Sequence, residues 1–224
     1  MGIFATAPIP QGTRLVMEDR IMSSNIDEIK KNYRGLEVSD AELVQGLWRG
    51  PAYDRSRCFE PLSRSDLYCM HALNAFQHGI FAFIARFNHA CVPNVEYHYH
   101  YEMRKGMIHA VKNIAKDEEL TLMYLECDTL PLRQRQRQLD QQLCFPCQCQ
   151  LCAAPDSAAS DDRRNEIMDL RADLSSTDAI TAESFAAMQR LIQLFEEEGL
   201  LGSRMTLAYT FSIALHVTTK SAAS

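Results

Sequence analysis

Arg86-Phe87-Asn88-His89-Ala90-Cys91-Val92-Pro93-Asn94 is the stretch on which the reading of this chain turns, and two later segments give it meaning. One is Asp117-Glu118-Glu119-Leu120-Thr121-Leu122-Met123-Tyr124, and the other is Phe145-Pro146-Cys147-Gln148-Cys149-Gln150-Leu151-Cys152. An Asn-His pair flanked by Phe87 and Val92-Pro93 suits a loop tucked beneath a sheet, although elsewhere Asn-His marks a turn. Leu120, Leu122 and Tyr124 share parity along a strand, so Tyr124 is expected on the leucine side, facing a pocket. Alone, such a tyrosine reads as a sheet-core residue with a satisfied hydroxyl. Cys147, Cys149 and Cys152 form a CxCxxC, tighter than the commoner CxxC, which in a chain without secretory features points to metal before disulfide. Cys144 is a further thiol within reach of that loop.

In this order and spacing the three segments resemble the SET-domain protein lysine methyltransferases with a post-SET zinc cluster. The resemblance covers residues 1–152 and is nearest to the SET-and-MYND group and its fungal relatives, without a MYND finger. It implies an α+β fold of the SET β-clip type: small twisted sheets, a helical insert, a four-cysteine zinc loop and C-terminal helices. It also implies a C-terminal segment threaded through a loop, against the usual absence of knots. By resemblance, Tyr124 is the catalytic residue, while Asn88 and His89 hold S-adenosyl-L-methionine. Phe145 packs against that cofactor, and Gly2 is what remains of a G-x-G cofactor motif. Cys91 is implied as the fourth zinc ligand beside Cys147, Cys149 and Cys152. Two positions depart from the pattern: Ala90 stands where serine is usual, and Asp117 where glycine often supplies positive φ.

Composition sets wider bounds. With 224 residues and 46% hydrophobic content, the chain can build one domain and an appendage. A net charge of −6 with no long basic run disfavours direct nucleic-acid binding. No apolar run reaches the ~20 residues that span a bilayer, so no membrane partner is expected. Met1-Gly2 with Thr6 fits an acylation pattern, but Gly2–Thr6 reads more simply as a buried opening strand.

Along the chain, Pro10-Gln11-Gly12 reads as a turn and Arg14–Met17 as a strand. Ile26, Ile29 and Tyr33, then Leu43, Leu47 and Trp48, fall at helical spacing. Residues 94–125 read as antiparallel sheet, with Val95, Tyr97, Tyr99 and Tyr101 on one face and a turn at Arg104-Lys105-Gly106. The three tyrosines read as a sheet face before channel aromatics. His98, His100 and His109 read as surface histidines with no carboxylate at metal spacing. Ile167, Leu170 and Leu174 mark one amphipathic helix; Phe185, Met188, Leu191, Ile192 and Phe195 mark a second, ended by Gly199. Leu207–Leu215 is a third apolar segment without an obvious partner in the chain.

The expected organisation is a SET domain over 1–143 (variable helical insert 23–79), a zinc loop at 144–152, a linker at 153–160 and a helical region at 161–224. The expected function is S-adenosylmethionine-dependent methyl transfer to a lysine amine of a protein, histone or non-histone, in the nucleus or cytoplasm. The alternatives are a SET scaffold with impaired catalysis and a zinc-dependent interaction module, with a partner at the C-terminal helices.

Overall fold

Short strands, paired across long stretches of sequence, carry the architecture of the protein. The structure is a computed structural model and describes residues 2–47, 66–127, 129–176, 181–203, 205–206 and 209. Trp48 and the segment 207–215 (but for Tyr209) lie outside the described residues.

The first sheet has the order β1-β8-β5. Strand β1 (Ile3–Phe4) runs antiparallel to β8 (Glu119–Leu122), with Ile3 opposite Leu120. On the other side β5 (Asn88–His89) runs parallel to β8, with Asn88 opposite Thr121. The second sheet has the order β2-β7-β6, built from β2 (Arg14–Asp19), β6 (Val95–His100) and β7 (Lys105–Ala110). Phe81, Ile84, Phe87, Val95, Ile108, Leu120 and Leu122 form the buried core shared by the two sheets. Gly106 is needed there, because a Cβ at that point would meet the Phe81 ring at 2.8 Å.

Several expectations change. The strands between 94 and 125 do not form one antiparallel sheet: β8 leaves β6 and β7 and pairs with β1 and β5. Alternation reveals which face a residue takes, not which strand lies beside it. The turn falls at 101–104, with Arg104 at φ 55, so Lys105 and Gly106 already belong to β7 and Tyr101 is 72% exposed. The opening strand is buried through Ala5 only; Phe4, of opposite parity, is 56% exposed.

The insert opens with a single 3-10 turn (Ile26–Glu28), its start capped by the Asn25 side chain. Helices α1 (Ile29–Arg34), α2 (Val38–Gln45) and α3 (Asp66–Asn74) follow. Their inner faces bury Ile29, Val44, Leu47 and Met70 against Met22 and Ile80. Leu43, expected on that stripe, is 43% exposed; its neighbour Val44 is the buried residue. A hairpin of β3 (Ala75–Phe76) and β4 (Gly79–Ile80) leads back to the sheets.

Beyond the sheets come α4 (Leu132–Leu143), α5 (Ala158–Ser176) and α6 (Ala182–Glu197). Thr181 and Ser184 form a reciprocal cap at the start of α6, and Gly199 at φ 66 lets the chain turn after it. Ile167 packs with Met188, Leu191, Leu194 and Phe195 between α5 and α6. This pair docks on the sheets through Gly202 and Ser203. The Ser203 backbone N–H donates to Glu96 at 2.9 Å, and a Cβ on Gly202 would strike the same carboxylate at 2.5 Å.

Candidate active site and metal centre

The site is assembled where β5, β8 and the loop after α4 converge around a cavity of about 960 Å³. Asn88, His89, Glu119, Tyr124, Phe145 and Cys149 are among its walls.

Two-residue strands cannot hold a site by ladder bonds alone, and side chains do the rest. Asn94 is 3% exposed. Its amide nitrogen donates to Glu118 at 2.9 Å and to the Glu119 carbonyl at 2.8 Å, while its oxygen accepts the Thr121 N–H at 2.8 Å. The other Glu118 oxygen accepts the Ala115 N–H, closing the turn that precedes β8. Asp117 in that turn sits at φ 65, the left-handed conformation that glycine takes freely and aspartate tolerates. The substitution is therefore accommodated without a change of backbone. Ala90, in place of serine, is buried and donates its N–H to the Leu122 carbonyl.

Asn88 donates its side-chain amide to Glu119 at 2.7 Å. Gly2 lies directly over that pair, since a Cβ there would fall 2.0 Å from Glu119 Oε1 and 3.0 Å from Asn88 Nδ2. A hydrogen is the only side chain that position accepts with the pair in place.

Tyr124 lies two residues past the end of β8, in a bend, so the strand parity expected for it does not apply. It still reaches the cavity, with its hydroxyl donating to the Phe87 carbonyl at 2.5 Å. Burial, with the Glu119 charge acting in the same direction, pushes its phenol up to about 12. The hydroxyl is protonated across the physiological range, and its proton is engaged by a backbone oxygen.

His89 connects this tyrosine to the cysteines. Its Nδ1 accepts the Tyr124 N–H at 3.2 Å, so Nδ1 is unprotonated and the neutral ring carries its proton on Nε2. Nε2 lies 3.5 Å from Cys91 Sγ. Burial is the main reason the ring titrates far below its usual range, at about 4; the Cys149 sulfur opposes the shift and the Arg135 cation adds to it. Phe145 completes the wall, its ring centroid 5.9 Å from His89 and 6.2 Å from Tyr124.

Behind this wall the sulfurs of Cys91, Cys147, Cys149 and Cys152 all lie within 4.8 Å of one another. Cys91 Sγ is 3.9 Å from Cys147 Sγ and 3.5 Å from Cys152 Sγ. A tetrahedron with ~2.3 Å zinc–sulfur bonds has edges of about 3.8 Å, so the four sulfurs fit that ion. Cys144 stands outside this group; at φ 60 it ends α4 and turns the chain toward Phe145. Gln136 of α4 holds the loop from the other side, its amide bonded to both the N–H and the carbonyl of Cys147 at 3.0 and 2.7 Å.

Glu118, Glu119, Asn94 and Gln136 support the site without having been singled out for it by sequence. The first three lie inside the quoted segments, where the motif itself was the signal; Gln136, in a run of alternating arginine and glutamine, had none. Cys127 was also missed: fully buried, it groups with His89 and Cys91 in a second possible ligand set. Tyr97, Tyr99 and Tyr101 are not among the cavity walls. Tyr97 packs on Phe76 at 4.6 Å, and Tyr99 stacks on His78 at 4.1 Å. His98, on the surface as expected, pairs with Glu96 at 3.4 Å: the two are neighbours of equal parity on β6.

Short strands, the cavity beside them and a loop of clustered cysteines together make up the site. The chain belongs to the SET domain family, whose profile matches residues 1–125. It is 30% identical over 134 residues to the Arabidopsis thaliana histone-lysine N-methyltransferase ASHR1, covering 58% of this chain and 27% of that protein. It is 25% identical over 172 residues to the Schizosaccharomyces pombe histone-lysine N-methyltransferase set5, covering 75% of this chain and 52% of that protein. With human histone-lysine N-methyltransferase SMYD3 it shares 30% over 124 residues, covering 55% of this chain and 27% of that protein. The chain thus spans about half of one of these relatives and about a quarter of the other two. Among the described residues, no helix is long and apolar enough to cross a membrane.

Proposed function

We propose that the protein is an S-adenosylmethionine-dependent protein-lysine N-methyltransferase with a structural zinc site. The observation that carries the reading is the convergence of Asn88, His89, Tyr124 and Phe145 on one cavity, directly in front of four clustered sulfurs. A volume of about 960 Å³ suits a cofactor and the end of a substrate side chain.

In this reading the bound cofactor supplies a methyl group made electrophilic by its sulfonium. Asn88 and Glu119, with Gly2 directly over them, form the polar end that recognises charged and hydrogen-bonding groups of the ligand. Phe145 offers an aromatic face. Tyr124 acts by position: its proton is donated to the Phe87 carbonyl, leaving the phenol oxygen to accept an N–H from the incoming amine. That orients the amine lone pair for in-line displacement, an effect of geometry more than of acid–base exchange. With its phenol raised to about 12, Tyr124 is poorly suited to act as a base near neutrality. Zinc held by Cys91, Cys147, Cys149 and Cys152 would staple the loop bearing Phe145 to β5 and keep water out of the channel. The corresponding division is a SET domain over 1–143, the zinc loop at 144–152, a linker at 153–160 and accessory helices from 161. The relatives' names make histone tails the first substrates to try.

Tyr124→Phe tests the mechanism. It is expected to bind cofactor in calorimetry within about twofold of wild type while transferring methyl groups roughly 10²–10⁴ more slowly. Transfer at the wild-type rate would reduce Tyr124 to packing.

A further inference from the structure

Arg135 on α4 and Arg164 on α5 have fully buried side chains. Burying a guanidinium is costly unless charge and hydrogen bonds compensate it, and here the compensation from protein groups falls short. Arg135 Nη1 donates to the Leu130 carbonyl, but its Nε and Nη2 have no hydrogen-bond partner among the described residues. Among the described residues, the carboxylate paired with Arg135 is Asp161, whose oxygen is 4.0 Å away and already accepts the Leu132 N–H at 2.7 Å. Arg164 donates to Ser160 from Nε at 3.3 Å. Its Nη2 forms a buried ion pair with Glu198 at 2.9 Å, while Nη1 has no hydrogen-bond partner among the described residues. Glu198 is shared with Arg163, which holds its other oxygen at 2.6 Å. The two buried cations therefore have one carboxylate each, Asp161 at 4.0 Å and Glu198 at 2.9 Å, and both carboxylates are shared with other donors.

What lies beside them is the sulfur cluster. The residue after Arg135 is Gln136, bonded to both main-chain groups of Cys147. One turn on, Leu139 packs with Cys91, Cys127 and Cys147. Helix α5 is tied to the same end of α4, three residues before Arg164: Asp161 accepts the Leu132 N–H at 2.7 Å and lies 4.0 Å from Arg135. In keeping with that placement, burial lowers Arg164, the Arg135 cation lowers it further, and Glu198 and the Cys91 sulfur counter both.

Resting on the zinc reading above, the geometry points to Arg135 and Arg164 as the counter-charges of a zinc ion held by four thiolates. Such a centre carries a net double negative charge, and two guanidiniums match it. Four protonated thiols would supply none. Helix α5 is then electrostatically part of the metal centre, although it contributes no ligand. Partners just outside a ligand shell typically change metal affinity by about 10- to 100-fold.

The test uses the zinc-loaded full chain and a chromophoric chelator. Arg135→Met, and Arg164→Met combined with Glu198→Gln to avoid stranding the carboxylate, are each expected to release zinc about 10- to 100-fold faster than wild type. Arg190→Met removes a more exposed pair with Glu166 between α5 and α6, at 2.7 Å, and should leave release unchanged. Wild-type release from both charge variants, or equal acceleration by Arg190→Met, overturns the inference. Should the variants fail to fold, hydrogen exchange of wild type with and without zinc decides. Stripping zinc should expose amides of α4 and α5 as well as the loop at 147–152; loosening of the loop alone overturns the inference. A wild type that binds no zinc at all sinks the metal reading first, and this one with it.

Discussion

The two three-stranded sheets of this protein are built on opposite plans. In β2-β7-β6 the strands are six residues long, pair along their length with a single register shift between Arg14 and Val16, and stack aromatic rings along one face. In β1-β8-β5 the outer strands have two residues each and are held by Asn94, Glu118 and the Asn88–Glu119 pair. One sheet is secured by backbone ladders and packing; the other by specific side chains bonded to backbone. The second plan leaves polar groups beside a cavity, and that is where a site can be built. It also concentrates stability in a few residues, so the two sheets should respond very differently to single substitutions.

The strongest expected break is at the metal loop that backs the short-stranded sheet. Cys149→Ser should lower bound zinc from about one per chain and cost several kcal/mol, since structural zinc contributes roughly 10–16 kcal/mol in small domains. Metal analysis and thermal melts check both. Next is Asn94→Ala, which deletes three hydrogen bonds made by a buried amide and strands the Thr121 N–H. About 2–4 kcal/mol should be lost in denaturant unfolding. Its counterpart in the long-stranded sheet is Tyr97→Phe. The Tyr97 hydroxyl is buried without a partner among the described residues, so removing it should be neutral or stabilising by up to about 1 kcal/mol. If both substitutions cost the same, the contrast between the sheets is wrong.

A pH experiment sharpens it further. Burial raises the Glu96 carboxyl, but hydrogen bonds from His98 and Ser203 outweigh that and hold it at about 2. A depressed carboxylate stabilises the fold above its ordinary value of 4.5, and that contribution is lost as pH falls toward 2. Exchange of the amides around 199–203 should therefore speed up between those limits in wild type and be fast already at pH 5 in Glu96→Gln. The smallest effect is expected from Asp117→Gly. Relief of positive φ is offset by the greater freedom of glycine in the unfolded chain, leaving stability within about 0.5 kcal/mol.

Legibility followed the same division. Strands β6 and β7 could be read from alternation because each has one face on the core. The site could be read because Asn88, His89, Tyr124 and the cysteines stand at fixed offsets in recognisable segments. The pairing of β8 could not, since Ile3 and Leu120 meet across 117 residues and parity names no partner. Helix α4 went unread because its alternating arginines and glutamines leave only a sparse apolar face, Leu132, Leu139 and Leu143, although every one of those residues suits a helix. Buried Arg135 and Arg164 were invisible for a related reason: nothing in the sequence separates an arginine turned inward beside a sparse apolar face from a solvated one. Tyr124 was placed in the cavity by a parity that does not extend past Leu122, and the cavity wall is nevertheless where it lies.

The central place of β8 bears on how the protein is made. At roughly 5–20 residues per second, Ile3 leaves the ribosome many seconds before Leu120, the residue it must face. Asn88 and His89 wait less long, for Thr121 and Leu122. Until that strand emerges, β1 and β5 lack the strand they pair with, and the sulfur of Cys91 is without Cys147, Cys149 and Cys152 until they follow it. The nascent chain therefore carries Cys91 unpaired while the next 56 residues are made, and the exposure of that thiol to oxidation falls in that interval.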